Sequence, residues 1–164
     1  MYIVYMKTVD VAGKESLKNL ANWLEEPPEG LSDLENMQFL LNQAMPGTIE
    51  MQILSLTHDE ITGAAPFKPG TANLLGTMHG GTLFTLGDTL AACLLWNVFG
   101  VGKRFATTQS NIRYIRPVTE GLCTCKARIV KEYGKRVDLQ ADFFDDAGKR
   151  VARQLVTYIL LQEG

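Results

Sequence analysis

Between Thr82 and Trp96 the chain offers almost no polar face. Leu83, Phe84, Leu86, Leu90, Ala91, Ala92, Cys93, Leu94, Leu95 and Trp96 ring a helix on nearly every side. A helix that is apolar all round belongs inside a fold, and this run is too short and too interrupted to span a membrane. Upstream, Leu17, Leu20, Ala21 and Leu24 recur at helical spacing between Ala12 and Glu26, and Pro27-Pro28-Glu29-Gly30 ends that amphipathic helix. A second helix is predicted from Ser32, with Glu35 completing a capping box. It carries Leu34, Met37, Leu40 and Leu41 and stops before Pro46-Gly47.

The remaining segments alternate with the period of strands. Thr48 to Thr57 places Ile49, Met51 and Ile53 on one face, His58-Asp59-Glu60 reads as a turn, and Ile61 to Phe67 forms a second strand. Beyond the buried helix, Gly100 and Gly102 break the chain. Four strands follow: Arg104 to Arg116, Leu122 to Tyr133, Arg136 to Phe144 and Lys149 to Leu161, the last with Val151, Leu155, Ile159 and Leu161 as its apolar positions. Gly134-Lys135 and Asp145-Asp146-Ala147-Gly148 are hairpin turns. Helices, two strands, one buried helix and a run of strands joined by tight turns predict an α+β fold, an antiparallel sheet wrapped on one helix. The division expected is an N-terminal helical extension over 1–46 and a main domain over 47–164.

Composition narrows the function. The 164 residues suffice for one domain with a proper core. A net charge of −2 implies no field for nucleic acid. Three cysteines make no disulfide framework: Cys93 is a small core residue, and Cys123 and Cys125 share one strand face as a reduced pair. No ligand set for zinc accompanies them, and the adjacent residues of His58-Asp59-Glu60 do not converge on one ion. Met1 to Met6 is apolar but lacks a basic region and a cleavage site, so a cytoplasmic protein is expected.

One residue breaks the apolar helix. Asp88 lies among Leu86, Leu90 and Ala91, and a carboxylate there is either paired with a structural cation or tuned by burial toward general-base or nucleophilic work. The helix start supplies the complement. At Gly80-Gly81-Thr82 backbone amides are exposed, a hydroxyl can cap, and the positive end of the helix dipole favours a developing oxyanion. Gly80 and Gly81 allow close approach of a carbonyl, and Asn73 and His79 add polar side chains beside it. His79 and Asp88 are nine positions apart, or ~13–14 Å along a helix, so one reacting carbon cannot touch both within one chain. Two antiparallel copies of the helix would bring the halves together, which predicts a homodimer with shared sites. Arg113, Arg116, Lys131, Lys135 and Arg136 gather near the turns after this stretch, as either a solvated face or a landing area for phosphates.

The spacing Asn73-x5-His79-Gly80-Gly81-x6-Asp88, with Thr107 to Pro117 as the strand that follows the helix, resembles the hotdog-fold acyl-CoA thioesterases of the phenylacetate-degradation branch. The resemblance runs from about Gly47 to Leu161 and implies a hotdog fold. It also implies roles: Asp88 as base or nucleophile, the Gly81 amide and Asn73 as the groups that polarise the thioester carbonyl, His79 as their orienting residue, and Thr107 as the hydroxyl that places water. Coenzyme A would enter as part of the substrate, its phosphates on the basic residues, with no metal or redox cofactor, no nucleic acid and no membrane. The assembly implied is a homodimer, or a dimer of dimers. Acyl hydratases and dehydratases share the fold, but their motif pairs a histidine with a bulky residue and Pro-Gly, unlike His79-Gly80-Gly81. A non-catalytic acyl-CoA binder has no need of a buried base.

Overall fold

The computed structural model describes residues 23–100 and 103–161. The readings of Met1 to Met6, of the helix over residues 12–22 and of Gly102 lie outside those residues. Residues 23–26, expected as the end of that first helix, form a turn and extended chain instead. This segment is tied down from the side: Gln43 accepts from the Glu25 amide at 2.7 Å and donates to its carbonyl at 3.1 Å.

The predicted second helix is α1, Asp33–Asn42, and its start follows from Ser32 and Glu35, which form the expected reciprocal cap. Pro46-Gly47 does not simply end it. Those residues lie inside a second short helix, α2, Met45–Thr48, with Pro at its first turn where no amide is needed. Gly47 allows the tight approach between the two helices, because a Cβ there would sit 2.2 Å from the Asn42 carbonyl oxygen. The first strand is correspondingly shorter than expected: β1 is Gln52–Leu56, not Thr48 to Thr57.

After β1 come β2 (Glu60–Pro66), α3 (Gly80–Phe99), β3 (Phe105–Tyr114), β4 (Leu122–Tyr133), β5 (Arg136–Phe144) and β6 (Arg150–Leu160). All six strands form one antiparallel sheet in the order β1-β2-β4-β5-β6-β3, which leaves β1 and β3 as its edges. This is the hotdog arrangement, a sheet curled on a long central helix. On length and hydropathy alone the 20 residues of α3 reach what a bilayer span needs, contrary to the reading of a helix too short. Its buried residues, among them Leu83, Leu86, Leu90, Cys93 and Leu94, are instead packed in one cluster with Ala127, Leu139, Phe143, Val156 and Tyr158 of the sheet. Met37 and Leu41 of α1 join the same cluster, so the core runs unbroken across the 46/47 boundary.

Register decides which face of β6 is inside. Ala152, Gln154, Val156 and Tyr158 pair with Phe143, Ala141, Leu139 and Val137, all of them buried. Val151 is buried as expected, but Leu155 is 52% exposed, and Ile159 and Leu161 lie outside the core. The strand is apolar at both parities, and a slip of one residue exchanges its faces. The α3–sheet approach is closest at Gly87, where a Cβ would lie 2.1 Å from Gln154 Oε1 and 2.6 Å from Phe143 Cζ. That contact seats Asp88, the next residue, over β6 and β3.

Candidate active site

The loop before α3 is built by Asn73. Its Oδ1 accepts from the amides of Leu75 at 2.9 Å and Thr77 at 3.2 Å, and its Nδ2 donates to Thr77 Oγ1 at 2.8 Å. Gly76, with φ +75°, completes the turn. The Asn73 carboxamide, expected to face a substrate carbonyl, is thus engaged in the turn that delivers His79.

His79 is the N-cap of α3, in place of the expected hydroxyl: its Nδ1 accepts from the Gly81 amide at 2.8 Å. Thr82 instead turns its hydroxyl inward to the Thr71 carbonyl at 3.1 Å. An imidazole that accepts at Nδ1 carries its proton on Nε2. The Gly81 amide is therefore not a free donor; a carbonyl oxygen must share it with His79 or displace the ring. Tyr114, at the end of β3, donates to the Gly80 carbonyl at 3.0 Å and fixes this end of the helix over the sheet edge.

Asp88 sits seven residues beyond Gly81 along α3, half-buried. Thr107 of β3 donates to its Oδ1 at 3.3 Å. Tyr158 of β6 reaches the same Oδ1 at 3.2 Å and the Asp88 carbonyl oxygen at 2.8 Å. Thr107 faces this way because a bulge between Thr107 and Gln109 resets the register of β3 against β6. Burial raises the Asp88 pKa above the ordinary value, and the bonds from Tyr158 and Thr107 pull against that rise. The carboxylate thus has no cation as partner in these interactions; two hydroxyls hold one of its oxygens.

The two halves of the candidate site stand apart. The His79–Gly81 end lies at Tyr114 and the Asp88 end at Thr107, seven residues or about 20 Å along β3. The basic residues are divided as well. Arg113 pairs across β6 with Arg153, and Arg153 with Asp142 of β5, whereas Arg136 is six residues from Asp142, again about 20 Å away. Arg116 donates to the Arg150 carbonyl at 2.7 Å, Arg136 is paired with Asp138 at 2.9 Å, and Lys131 lies 4.3 Å over the Tyr133 ring. Within one chain Arg113 and Arg116 form one group and Lys131, Lys135 and Arg136 another, not a single landing area.

Tyr158 and Gln154 are the neighbours of the site that sequence reasoning missed. Gln154 is fully buried and donates to Ser110 Oγ at 2.8 Å. The signal was the alternation Ala152, Gln154, Val156, Tyr158, in which two polar side chains share a face with core residues. Burial pushes the Cys93 and Cys123 thiols up to about 12, so both stay protonated and packed. Among the described residues no group of three His, Cys, Asp or Glu is placed to hold a metal. A cleft of about 470 Å³, lined by Gln38, Asn42, Glu50 and Ile53 among others, lies at the β1 edge, opposite in the sheet order to β3 and Asp88.

Residues 75–152 match the Thioesterase superfamily. No curated protein matches the chain in sequence. Among solved structures, a thioesterase from Haemophilus influenzae is 22% identical with a TM-score of 0.74, covering 81% of this chain and 94% of its own. A mutant thioesterase from Pseudomonas aeruginosa is 16% identical with a TM-score of 0.75, over 84% of this chain and 97% of its own. A conserved protein from the same organism is 26% identical with a TM-score of 0.68, over 72% and 94%. At these identities the structures speak for the fold, and the match spans the helix that carries Asp88.

Proposed function

We propose that the protein hydrolyses acyl-CoA thioesters, with Asp88 as the general base. The observation that carries this reading is the Asp88 carboxylate itself, half-buried in an apolar helix, made more basic by burial, and held at one oxygen by Thr107 and Tyr158. The match to the Thioesterase superfamily supports the bond class. The Asn73-to-Asp88 spacing supports the phenylacetate-degradation branch.

In this reaction Asp88 takes one proton from a water as the water oxygen bonds to the thioester carbon. The carbonyl oxygen becomes an oxyanion, stabilised at the α3 start by the helix dipole, the Nε2–H of His79 and the shared Gly81 amide. The C=O re-forms as the C–S bond breaks. Coenzyme A leaves as a thiolate, and the proton held by Asp88 passes to it or to solvent. Asn73 acts by building the turn that presents His79.

The free edge of β3 supports a homodimer. If two copies pair that edge antiparallel, the Tyr114 end of one chain meets the Thr107 end of the other, and His79–Gly81 comes to face the partner subunit. Arg113, Arg116, Lys131, Lys135 and Arg136 are then candidates for coenzyme A phosphates drawn from both chains. A cytoplasmic location and a dimer-of-dimers assembly belong to the same reading.

The test is thiol release from a panel of acyl-CoA esters of differing chain length and aromatic character. Turnover of at least one ester is expected; a dehydratase or a binder would release no thiol above background. Thr107 gives a graded check. Thr107→Val is expected to lower kcat by about tenfold, the equivalent of one hydrogen bond to a charged group. Thr107→Ser is expected to be nearly neutral because the hydroxyl survives. A loss for Thr107→Val as large as that for removal of the Asp88 carboxylate would reverse the ranking of their roles.

A further inference from the structure

We infer that Tyr158 is the positioning residue of Asp88, its hydroxyl following the proton between the Asp88 side chain and the Asp88 backbone carbonyl as the base cycles. The inference rests on the general-base reading of Asp88. Tyr158 is 2% exposed, so its hydroxyl proton cannot turn to solvent and needs a protein acceptor in every state of the reaction. Two acceptors on residue 88 take it, the carbonyl oxygen at 2.8 Å and Oδ1 at 3.2 Å, and the Thr107 hydroxyl lies beside them as a further hydrogen-bond neighbour.

With Asp88 ionised, the Tyr158 proton points to Oδ1, where a charge-assisted hydrogen bond is the stronger choice. Thr107 donates to that oxygen as well. Both hydroxyls therefore act on Oδ1 and leave Oδ2 as the oxygen that meets water. When Asp88 has taken the proton of water on Oδ2, its attraction for donors falls, and the Tyr158 hydroxyl rotates to the carbonyl. The tyrosine is satisfied before and after transfer, so protonation of Asp88 strands no buried donor.

Besides β6 itself, the groups that face this pair come from three elements. Cys93 of α3, its thiol held protonated by burial, stands behind Tyr158. β3 contributes Thr107 and the Phe105 ring, set edge-on to Tyr158 at 5.4 Å between centroids. β5 contributes the apolar Val137 as cross-strand partner of Tyr158. α1 packs on β1 at the other sheet edge, and α2 meets α3 only through uncharged groups at Thr85, whose hydroxyl donates to Met45 Sδ at 3.4 Å. A hydroxyl that donates to a carboxylate favours its ionised form, so loss of the hydroxyl makes Asp88 easier to protonate.

The experiment compares pH profiles of Tyr158→Phe and the parent protein. The variant keeps the ring and its packing. Its kcat is expected to fall about tenfold with KM held within about twofold, and the acid limb of the profile to move to higher pH. A tyrosine that only fills the core would leave the acid limb in place, and an unmoved limb would overturn the inference whatever happens to kcat. Should Tyr158→Phe fail to fold, the parental sequence produced with 3-fluorotyrosine serves instead. Its more acidic phenol is a stronger donor, so the acid limb is expected at lower pH, and an unmoved limb again overturns the inference. Asp88→Asn separates the two readings. If that variant stays active, the general-base reading fails. If it is inactive while the Tyr158→Phe limb stays put, only the role of Tyr158 fails.

Discussion

Asp88→Asn is expected to lower kcat by at least ~10²-fold, the lower range for loss of a general base. The substitution keeps the shape of the side chain, and Thr107 and Tyr158 can still donate to the remaining carbonyl oxygen. Folding should therefore survive, and Tm should hold or rise, because a half-buried carboxylate in an apolar helix is costly to keep. The pH profile of the parent offers an independent check. Burial raises the Asp88 pKa above 3.8. The base works only when ionised, so activity should be present above that raised pKa and be lost as pH falls through it. An acid limb that persists unchanged in Asp88→Asn, or turnover within about twofold of the parent, would remove Asp88 from the chemistry.

The second large effect is complementation between two inactive chains. His79→Ala removes both the Nε2–H donor and the Nδ1 acceptor that caps the Gly81 amide, and should cost about 1 kcal/mol of helix stability as a lost cap. Homodimers of His79→Ala and of Asp88→Asn should each be nearly inactive, since both sites of each carry a lesion. When the chains are co-expressed with two tags and the mixed dimer is purified, one site receives both lesions. The other joins the intact His79 of the Asp88→Asn chain to the intact Asp88 of the His79→Ala chain. The mixed dimer should recover about half the parental activity, by the symmetry of a two-fold assembly. The expectation rests on the separation along β3 between the Tyr114 and Thr107 ends. No recovery in a verified mixed dimer would place each site within a single chain.

Much of the architecture was legible in local patterns. The bounds of β4 and β5 coincide with Leu122 to Tyr133 and Arg136 to Phe144, because each strand ends at a glycine or aspartate turn. The Ser32–Glu35 cap is legible for the same reason: it is made by residues three apart. Asp88 stood out because a carboxylate in an apolar run demands an explanation, and its separation from His79 follows from helical rise alone.

What lay outside local pattern had to wait for the packed chain. Which face of β6 is buried depends on its neighbours in the sheet, since Leu155 and Val156 are equally apolar and only register against β5 puts Val156 inside. Tyr158 therefore does not stand out in the strand pattern, although it holds Asp88 across 70 residues. Asn73 and His79 were legible as polar residues beside a helix start, but not as turn-former and cap, because a side chain's hydrogen-bond partner is chosen by loop geometry. The basic residues looked like one group along the chain and are two groups in space, because strands that follow one another in sequence run in opposite directions. The sequence by itself determined the run of strands, the capped helix, the buried helix and the candidate base, written in periodicity and in one misplaced charge, but neither α2 nor the start of β1. The tertiary structure alone decided which hydroxyls hold that base and which donors at the helix start are already taken, because those are contacts between segments far apart in the chain.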